Sequence, residues 1–279
     1  MRNFDLKNLP EKISKMCMES NYYLDELIHQ KLKKSEIIEE SKIAKSILQQ
    51  IIENSEIAKN ERVPMCQDTG IVVVFVEVGT NLRLIGNLED AIHQGIRHGY
   101  QEGYLRKSVV AHPLKRINTK DNTPAVIHYK IVEGDKLKIT IAPKGAGSEN
   151  QSQLRMLKPS DGIQGVKDFV IGAVKKAGGN PCPPLIVGVG IGGNFEKCAL
   201  LAKEALMRPL DDCSSDEIAN QLEEDLLVEI NNLNVGPMGF GGKTTALAVK
   251  VNTYPCHIAS LPVAVNIQCH ASRHISGVF

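Results

Sequence analysis

Apolar residues recur at helical spacing through the first sixty residues of the chain. Leu27, Ile28 and Leu32 form one such group, and a second group at 43–52 repeats the pattern. A period of about 3.6 residues places these side chains on one face of a helix. We therefore expect an N-terminal helical segment over residues 1–60.

The chain beyond residue 60 alternates between strand-like and helical patterns. β-Branched runs at 71–78 and 185–189 are typical of buried strands. Helices are expected at 88–100, 162–176, 194–206 and 216–233, and further strands at 246–266. We predict an α+β fold, a helical N-terminal layer followed by a mixed α/β core, with residues 61–279 forming one continuous domain.

Two shorter strand-like runs flank the sequence Glu-Gly-Asp at 133–135. They cover residues 123–131 and 136–141. A short glycine-containing turn between two strand patterns is typical of a β-hairpin. We therefore expect these two strands to be neighbours in a sheet.

Composition is that of an ordinary globular protein, and it limits the kinds of partner that the chain can bind. It has 279 residues, of which 42% are hydrophobic and 23% charged, enough to bury a sizeable core. A formal net charge of +1 provides no basic field for nucleic acid, so we expect a small-molecule or protein partner. No apolar run resembles a signal peptide or a membrane span, which predicts a cytoplasmic protein.

Three of the seven cysteines lie in loop-forming frames. Cys66 precedes Gln-Asp-Thr-Gly, and Cys182 is flanked by prolines that exclude regular helix. Cys269 is followed by His270 and Arg273, whose positive charges would favour a thiolate. In a reducing compartment such residues are thiols, core residues or metal ligands rather than disulfides.

Three further cysteines lack such frames. Cys198 falls on the apolar face of the helix expected at 194–206, where a thiol is most simply a small core residue. Cys17 lies in the N-terminal helical region, and Cys213 precedes the helix expected at 216–233. None of these three positions indicates chemistry.

The long gaps between Cys66, Cys182 and Cys269 mean that only folding could bring them together. Three converging thiolates would be one ligand short of a closed four-ligand site, and metal-based catalysis needs such an open position. Spacing alone fits three structural loop cysteines equally well, because buried cysteines are common. Both interpretations stand on the residues alone.

Two glycine-rich segments resemble nucleotide-binding motifs. Gly188, Gly190 and Gly193 satisfy G-x-G-x-x-G after an apolar run and before a helix, which would make a dinucleotide site. No regular βαβ series surrounds them, so a close strand-to-helix turn is the simpler interpretation. Residues 236–244 end in Gly-Gly-Lys-Thr, but Pro237 stands where a P-loop requires its first glycine.

Seven short motifs occur in order along the chain: PMCQDTG at 64–70, NTKDNTP at 118–124, KGAGSEN at 144–150, PCPP at 181–184, GIGG at 190–193, GFGGK at 239–243 and QCHASR at 268–273. Together they resemble the iron–sulfur hydro-lyases, the family of class I fumarases and L(+)-tartrate dehydratases. The resemblance covers most of the chain from about residue 40 onward.

This resemblance implies that Cys66, Cys182 and Cys269 hold a [4Fe-4S] cluster whose fourth iron has no protein ligand. In the family, that iron binds a carboxylate and the hydroxyl of malate or tartrate and assists hydroxide departure, while a base takes the neighbouring proton. The residues that match the family's substrate site are catalytic Asp68 and His257, and substrate-binding Gln67, Arg106, Gly147, Asn150, Gln151 and Ser152.

Residue chemistry alone offers simpler roles for several of these positions. Asp68 begins an ordinary turn sequence, Arg106 fits a solvated helix end, and a single histidine such as His257 is usually structural. The chain also departs from the family at Lys120 and Ala146, where glycine is common. The Cβ of Ala146 would occupy space if the backbone approaches a ligand at this position. The substrate preference of the chain therefore stays open.

The resemblance also bears on the partner. The sequence stops soon after Cys269, which leads us to expect an α subunit that needs a separate β subunit carrying the C-terminal domain of fused family members. Fumarate is the first expected substrate and L(+)-tartrate the alternative. A NAD-binding dehydrogenase subunit remains a distant third possibility on the glycine motif.

Overall fold

The computed structural model describes all 279 residues. Contacts divide the chain into two compact units. Unit 1 comprises Met1–Leu24, Asn54–Ala146 and Arg273–Phe279, and unit 2 comprises Asp25–Glu53 and Gly147–Ser272. Both units mix helices and strands, whereas the domain boundary expected at residue 60 stays a prediction. None of the helices combines the length and the apolar character that crossing a membrane would require.

Unit 1 contains six strands, two complete helices and the end of a third. Its elements are β1 Arg2–Asp5, α1 Leu9–Tyr22, the end of α3 Lys42–Glu61, β2 Ile71–Gly79, β3 Leu82–Ile85, α4 Leu88–Glu102, β4 Val126–Val132, β5 Leu137–Lys144 and β10 Ile275–Val278. β1 pairs with β3, and the other four strands form a sheet in the order β10-β5-β2-β4. The helices expected near the N terminus are present, but β1 precedes them and the two units share them.

The core of unit 1 lies where α1 and α4 pack against this sheet. Val72, Val74 and Val76 of β2 are buried, as the β-branched run predicted. α1 and α4 approach closely at Gly95, where an added Cβ would lie 2.5 Å from Ile13 Cβ. The missing side chain therefore lets the two helices pack together over the sheet.

The predicted hairpin between β4 and β5 is wrong. β2 lies between them, parallel to β4 and antiparallel to β5. The turn at 133–135 instead crosses the end of β2, where Asn81 N donates to Gly134 O at 2.8 Å. β2 is apolar except at Glu77 and pairs along both edges, so it takes the place that a hairpin partner would occupy.

Unit 2 is built around a second four-stranded sheet. Its elements are α2 Glu26–Ile38, the start of α3, α5 Ala146–Glu149, β6 Gln153–Leu157, α6 Gly162–Ala177, β7 Leu185–Gly192, α7 Phe195–Ala205, α8 Glu217–Asn231, β8 Ala246–Tyr254 and β9 Leu261–Gln268. The strand order is β6-β9-β7-β8. Asn194 and Asp216, the residues at which these two helices were expected to start, cap α7 and α8 through their side-chain oxygens.

The G-x-G-x-x-G segment serves helix packing in unit 2. Gly188 and Gly190 lie inside β7, and an added Cβ would come within 2.1 Å of Ala202 O and Cys198 O respectively. α7 therefore rests directly on the strand. Glycines used in this way lie within the strand rather than in a loop that exposes N–H groups to a pyrophosphate.

Candidate functional site

The loop that carries Cys66 is held by side chains from distant parts of unit 1. Met65 N donates to Asn21 O at 3.0 Å, and Asn54 Nδ2 donates to Met65 O at 2.8 Å. Both polar backbone groups of the residue before Cys66 are thus satisfied by α1 and α3. The start of the loop is fixed although it belongs to no helix or strand.

Buried side chains fix the other end of this loop. Tyr100 Oη donates to Thr69 O at 2.6 Å, and Asn122 Nδ2 donates to Gly70 O at 3.1 Å. Burial raises the pKa of Tyr100, so its hydroxyl remains a neutral donor. Gly70 has φ +76°, and an added Cβ would lie 2.6 Å from Lys144 N, so only glycine fits here.

Asp68 is the most constrained of the expected catalytic residues. Its Oδ1 accepts from Gly70 N at 3.0 Å and its Oδ2 from Ala146 N at 2.8 Å. Its backbone oxygen accepts from Arg273 Nη2 at 2.6 Å. The two N–H groups set the direction of the carboxylate, and the guanidinium sets the position of its peptide.

Gln67 and Arg106 expose their side chains in unit 1. The backbone of Arg106 is tied to the Cys66 loop, because Thr69 Oγ1 donates to Arg106 O at 2.9 Å. Arg106 lies in a segment at 104–120 that contains five Lys or Arg residues and no Asp or Glu. This local excess of positive charge, absent from the net charge of the chain, suits an anionic ligand.

The other two candidate cysteines belong to unit 2 and lie in loops tied to each other. Cys182 O and His270 Nδ1 are 2.9 Å apart, so the residue after Cys269 contacts the Cys182 loop directly. Cys182 is half-buried and has φ +56°, a left-handed conformation that is uncommon for residues other than glycine. Cys66 belongs to unit 1.

The glycine-rich loop at 144–152 leads into a hydrogen-bonded network of unit 2. Ser152 Oγ accepts from Asn266 Nδ2 at 2.8 Å and from Ile267 N at 3.2 Å. Asn266 also donates to Glu149 Oε2, and Lys203 Nζ bonds Glu149 Oε1. Because its oxygen accepts two bonds, the Ser152 hydroxyl can donate its own proton outward. Gly147 and Asn150 are exposed and Gln151 is half-buried.

His257 lies apart from this group of residues. It sits in the exposed loop between β8 and β9, where its Nδ1 accepts from Ala259 N at 3.1 Å. Cys269 follows the opposite end of β9, and a strand of that length, 8 residues, spans about 26 Å. The structure of this chain does not bring His257 near Cys269, so its catalytic role stays a prediction without geometric support.

Exposure separates the seven cysteines into three classes. Cys17 and Cys198 are buried, Cys213 and Cys256 are exposed, and the three candidate ligands are half-buried. Burial raises the pKa of Cys17 to about 12 and also raises the pKa of Cys198, so both remain thiols. Cys198 packs against Ala202 and Ala264, as expected for a core residue.

The structure adds positioning residues that the sequence did not indicate. Asn21, Tyr100, Asn122 and Asn266 were not recognised, because a buried amide or phenol in an apolar pattern carries no local signal of its partner. Arg273 was noted only as a positive charge near Cys269. No group of three or more His, Cys, Asp or Glu side chains is arranged to hold a metal ion.

Comparison with known proteins gives a consistent set of matches. The family model described as fumarate hydratase (Fumerase) matches residues 10–278. A Methanocaldococcus jannaschii protein with the provisional name L(+)-tartrate dehydratase subunit alpha is 44% identical over 95% of this chain and 95% of its own. The L(+)-tartrate dehydratase subunits alpha of Escherichia coli K12 and Shigella sonnei are each 32% identical, over 87% of this chain and 81% of theirs.

Proposed function

The chain belongs to the fumarate hydratase family and is the α subunit of a hydro-lyase, and we propose that with a β subunit it catalyses the reversible hydration of fumarate to (S)-malate. The relatives named above are all called subunit alpha, which supports a hetero-oligomer with a separate β subunit. A dicarboxylate substrate agrees with the basic segment at 104–120.

The exposure of the cysteines is the observation that carries the cofactor proposal. The family is generally iron–sulfur dependent. Cys66, Cys182 and Cys269 are the cysteines that are neither sealed in a core nor fully exposed. Iron–sulfur clusters are held by thiolates, and a thiolate ligand must be able to lose its proton while remaining shielded from oxidants. The chemistry of these three half-buried thiols therefore supports our proposal that they hold a [4Fe-4S] cluster.

Such a cluster, when bound by three cysteines, supplies an iron that can polarise the departing hydroxyl of the substrate as a Lewis acid. The chain's own residues would handle the proton and the carboxylates. Asp68 would move the proton at its carboxylate, whose direction two backbone N–H groups fix. Arg106 would bind one substrate carboxylate through its exposed guanidinium, and Ser152 would donate its hydroxyl proton to another oxygen.

Iron and acid-labile sulfide per chain test the cofactor proposal. We expect about four of each after anaerobic purification, because a [4Fe-4S] cluster contains four of each. Cys66→Ser, Cys182→Ser and Cys269→Ser should each lose them. Cys198→Ser is the matched control, because this thiol is buried against alanines, and it should retain both. Absence of iron and sulfide after reconstitution of the unsubstituted chain would refute the proposed cluster.

L(+)-Tartrate is the second candidate substrate, because the named relatives are tartrate dehydratase subunits. Malate and tartrate differ by one hydroxyl, and a site that hydrogen-bonds this group discriminates strongly against its absence. Turnover of malate, fumarate and L(+)-tartrate by the reconstituted α and β subunits decides between them. A higher kcat/KM for tartrate than for malate would replace the fumarate assignment.

A further inference from the structure

Arg273 is a charged side chain enclosed in unit 1 that the proposed chemistry does not use. It is only 4% exposed. Its Nη2 donates to Asp68 O at 2.6 Å and its Nη1 to Asn21 Oδ1 at 3.1 Å, while its Nε has no hydrogen-bond partner. Both bonds therefore go to neutral oxygens.

Such burial is unfavourable as a device for stability alone. Removing a guanidinium from water requires compensation by charged partners or by a full set of hydrogen bonds. Arg273 has neither, and a neutral amide could bridge two oxygens with a smaller desolvation penalty. What the guanidinium offers is a rigid planar fork that fixes the separation of two acceptors.

The two acceptors of this fork support the loop on both sides of Cys66. Asn21 receives Arg273 on its side chain and Met65 N on its backbone oxygen, just before the cysteine. Asp68 O, two residues after the cysteine, receives the other arm. Arg273 therefore closes a bridge from the end of α1 to the peptide that carries Asp68.

We infer that Arg273 is a positioning residue, which holds the Asp68 peptide so that the carboxylate meets the substrate proton in a productive direction. This inference rests on the proposed hydro-lyase function. The guanidinium does not touch the substrate. Its effect passes through Asp68 O and through the carboxylate direction that Gly70 N and Ala146 N then complete.

The first test measures the loop without reference to activity. Amide hydrogen exchange of the full chain is compared between unsubstituted protein, Arg273→Ala and the exposed-arginine control Arg83→Ala. Residues 65–70 should exchange at least about tenfold faster in Arg273→Ala, because local opening governs exchange. Residues 179–185 of unit 2 should not change in either variant. Unchanged exchange at 65–70 would overturn the inference whatever the enzyme does.

The second test measures catalysis in the reconstituted α and β enzyme. Arg273→Lys, which has one donor group instead of a fork, should lower kcat about 100-fold with KM changed less than threefold, since small misplacements of a reacting group have effects of this size. Iron per chain should remain as in the unsubstituted enzyme. Retained kcat in Arg273→Lys would contradict the positioning role.

Guanidinium rescue separates positioning from folding. Millimolar guanidinium added to Arg273→Ala should refill the enclosed space and raise kcat in a saturable way, whereas urea at the same concentration should not. If kcat falls in proportion to iron per chain and added guanidinium does not restore it, Arg273 has a structural role only. The two proposals can fail separately. If the unsubstituted enzyme turns over no dicarboxylate, the proposed function is refuted. Faster exchange at 65–70 in Arg273→Ala would still show that Arg273 holds the Cys66 loop.

Discussion

The loops that carry Cys66 and Cys182 are fixed in opposite ways. Around Cys66, four side chains from other parts of unit 1 bond the loop backbone: Asn54, Tyr100, Asn122 and Arg273. Asn21 adds its backbone oxygen, which accepts from Met65 N, and its side chain accepts from Arg273. Around Cys182, neighbouring prolines and backbone contacts predominate, and one distant side chain, His270, contacts Cys182 O through its Nδ1. Met238 N donates to Pro183 O at 2.8 Å, and Gly239 packs against Gly179.

The two loops illustrate two ways to fix a loop conformation: local control, by residues beside the loop, and distributed control, by side chains from distant parts of the chain. The frame of Cys182 depends mainly on the prolines beside it, which fix φ, and on backbone contacts with the glycine-rich segment at 236–242. The frame of Cys66 depends on groups that come together only in the folded unit. Single substitutions far from Cys66 should therefore disturb its loop more than substitutions beside Cys182 disturb the other.

Asn21→Leu should have the largest effect. Asn21 is fully buried and donates to Cys17 O as well as accepting from Arg273. Leucine leaves a buried guanidinium arm without an acceptor, which should cost about 3 kcal/mol and lower the Tm of the cluster-free chain by about 6 °C. Asn60→Leu, at an exposed position of α3, serves as control. An equal Tm for Asn21→Leu and Asn60→Leu would remove the case for distributed control.

Tyr100→Phe comes next, because it deletes one hydroxyl and leaves the ring in place. The oxygens of Thr69 and Gly70 then lose their shared donor inside the core. We expect a loss of about 1.5 kcal/mol, or about 3 °C in Tm. Tyr129→Phe, on a side chain that is 52% exposed, should change Tm by less than about 1 °C. The difference between the two variants in thermal unfolding is the decisive quantity.

Asp121 gives unit 1 a dependence on acid. Burial opposes its ionisation, but hydrogen bonds from Thr123 and Arg97 prevail and lower its pKa to about 2. Because this value lies below the unfolded value of about 3.9, the stabilisation is present above pH 4 and is lost as the pH falls towards 2. With 35% of the side chain exposed, we expect about 1 kcal/mol.

Thermal unfolding of Asp121→Asn across pH 2 to 5 checks this expectation. The variant should begin less stable at pH 5 and should lose less on acidification than the unsubstituted chain. Asp211→Asn, at an exposed carboxyl of unit 2, is the control. Parallel pH profiles for all three proteins would show that Asp121 contributes nothing to acid stability.

Pro181→Ala should have the smallest effect of the four. Alanine admits more conformations to the unfolded chain, which lowers stability by about 0.5 kcal/mol, or about 1 °C in Tm. Pro183 and Pro184 remain, so iron per chain should be unchanged. A Tm loss larger than that of Asn21→Leu would reverse the comparison between the two loops.

Periodicity predicted much of the fold, because it reports which face of an element is buried. The buried run of β2 and the capped helices α7 and α8 were predicted in this way. The hairpin at 133–135 failed because two strand patterns beside a turn do not reveal that a third strand, β2, lies between them. Pairing order is a property of the whole sheet.

In the candidate site, too, local features could be predicted from the sequence and long-range contacts could not. Prolines beside Cys182 predict a rigid turn, and capping residues predict helix starts, because these residues constrain only the backbone within a few bonds. The contacts of Asp68 with Ala146 and Arg273 join residues that are remote in sequence. The residues around an arginine do not indicate which distant oxygen will accept its hydrogen bond. His257 showed the converse, since its spacing from Cys269 is short in sequence and long along an extended strand.

The bond between Arg273 and Asp68 joins residues 205 positions apart, and this separation has a consequence for biosynthesis. Asn54, Tyr100 and Asn122 leave the ribosome long before Arg273 does. A nascent chain can therefore assemble most of the support around Cys66 early, yet the last arm of that support arrives only after the whole of unit 2 has been translated. The Cys66 loop of a nascent chain therefore reaches its final support only after Arg273 has been synthesised.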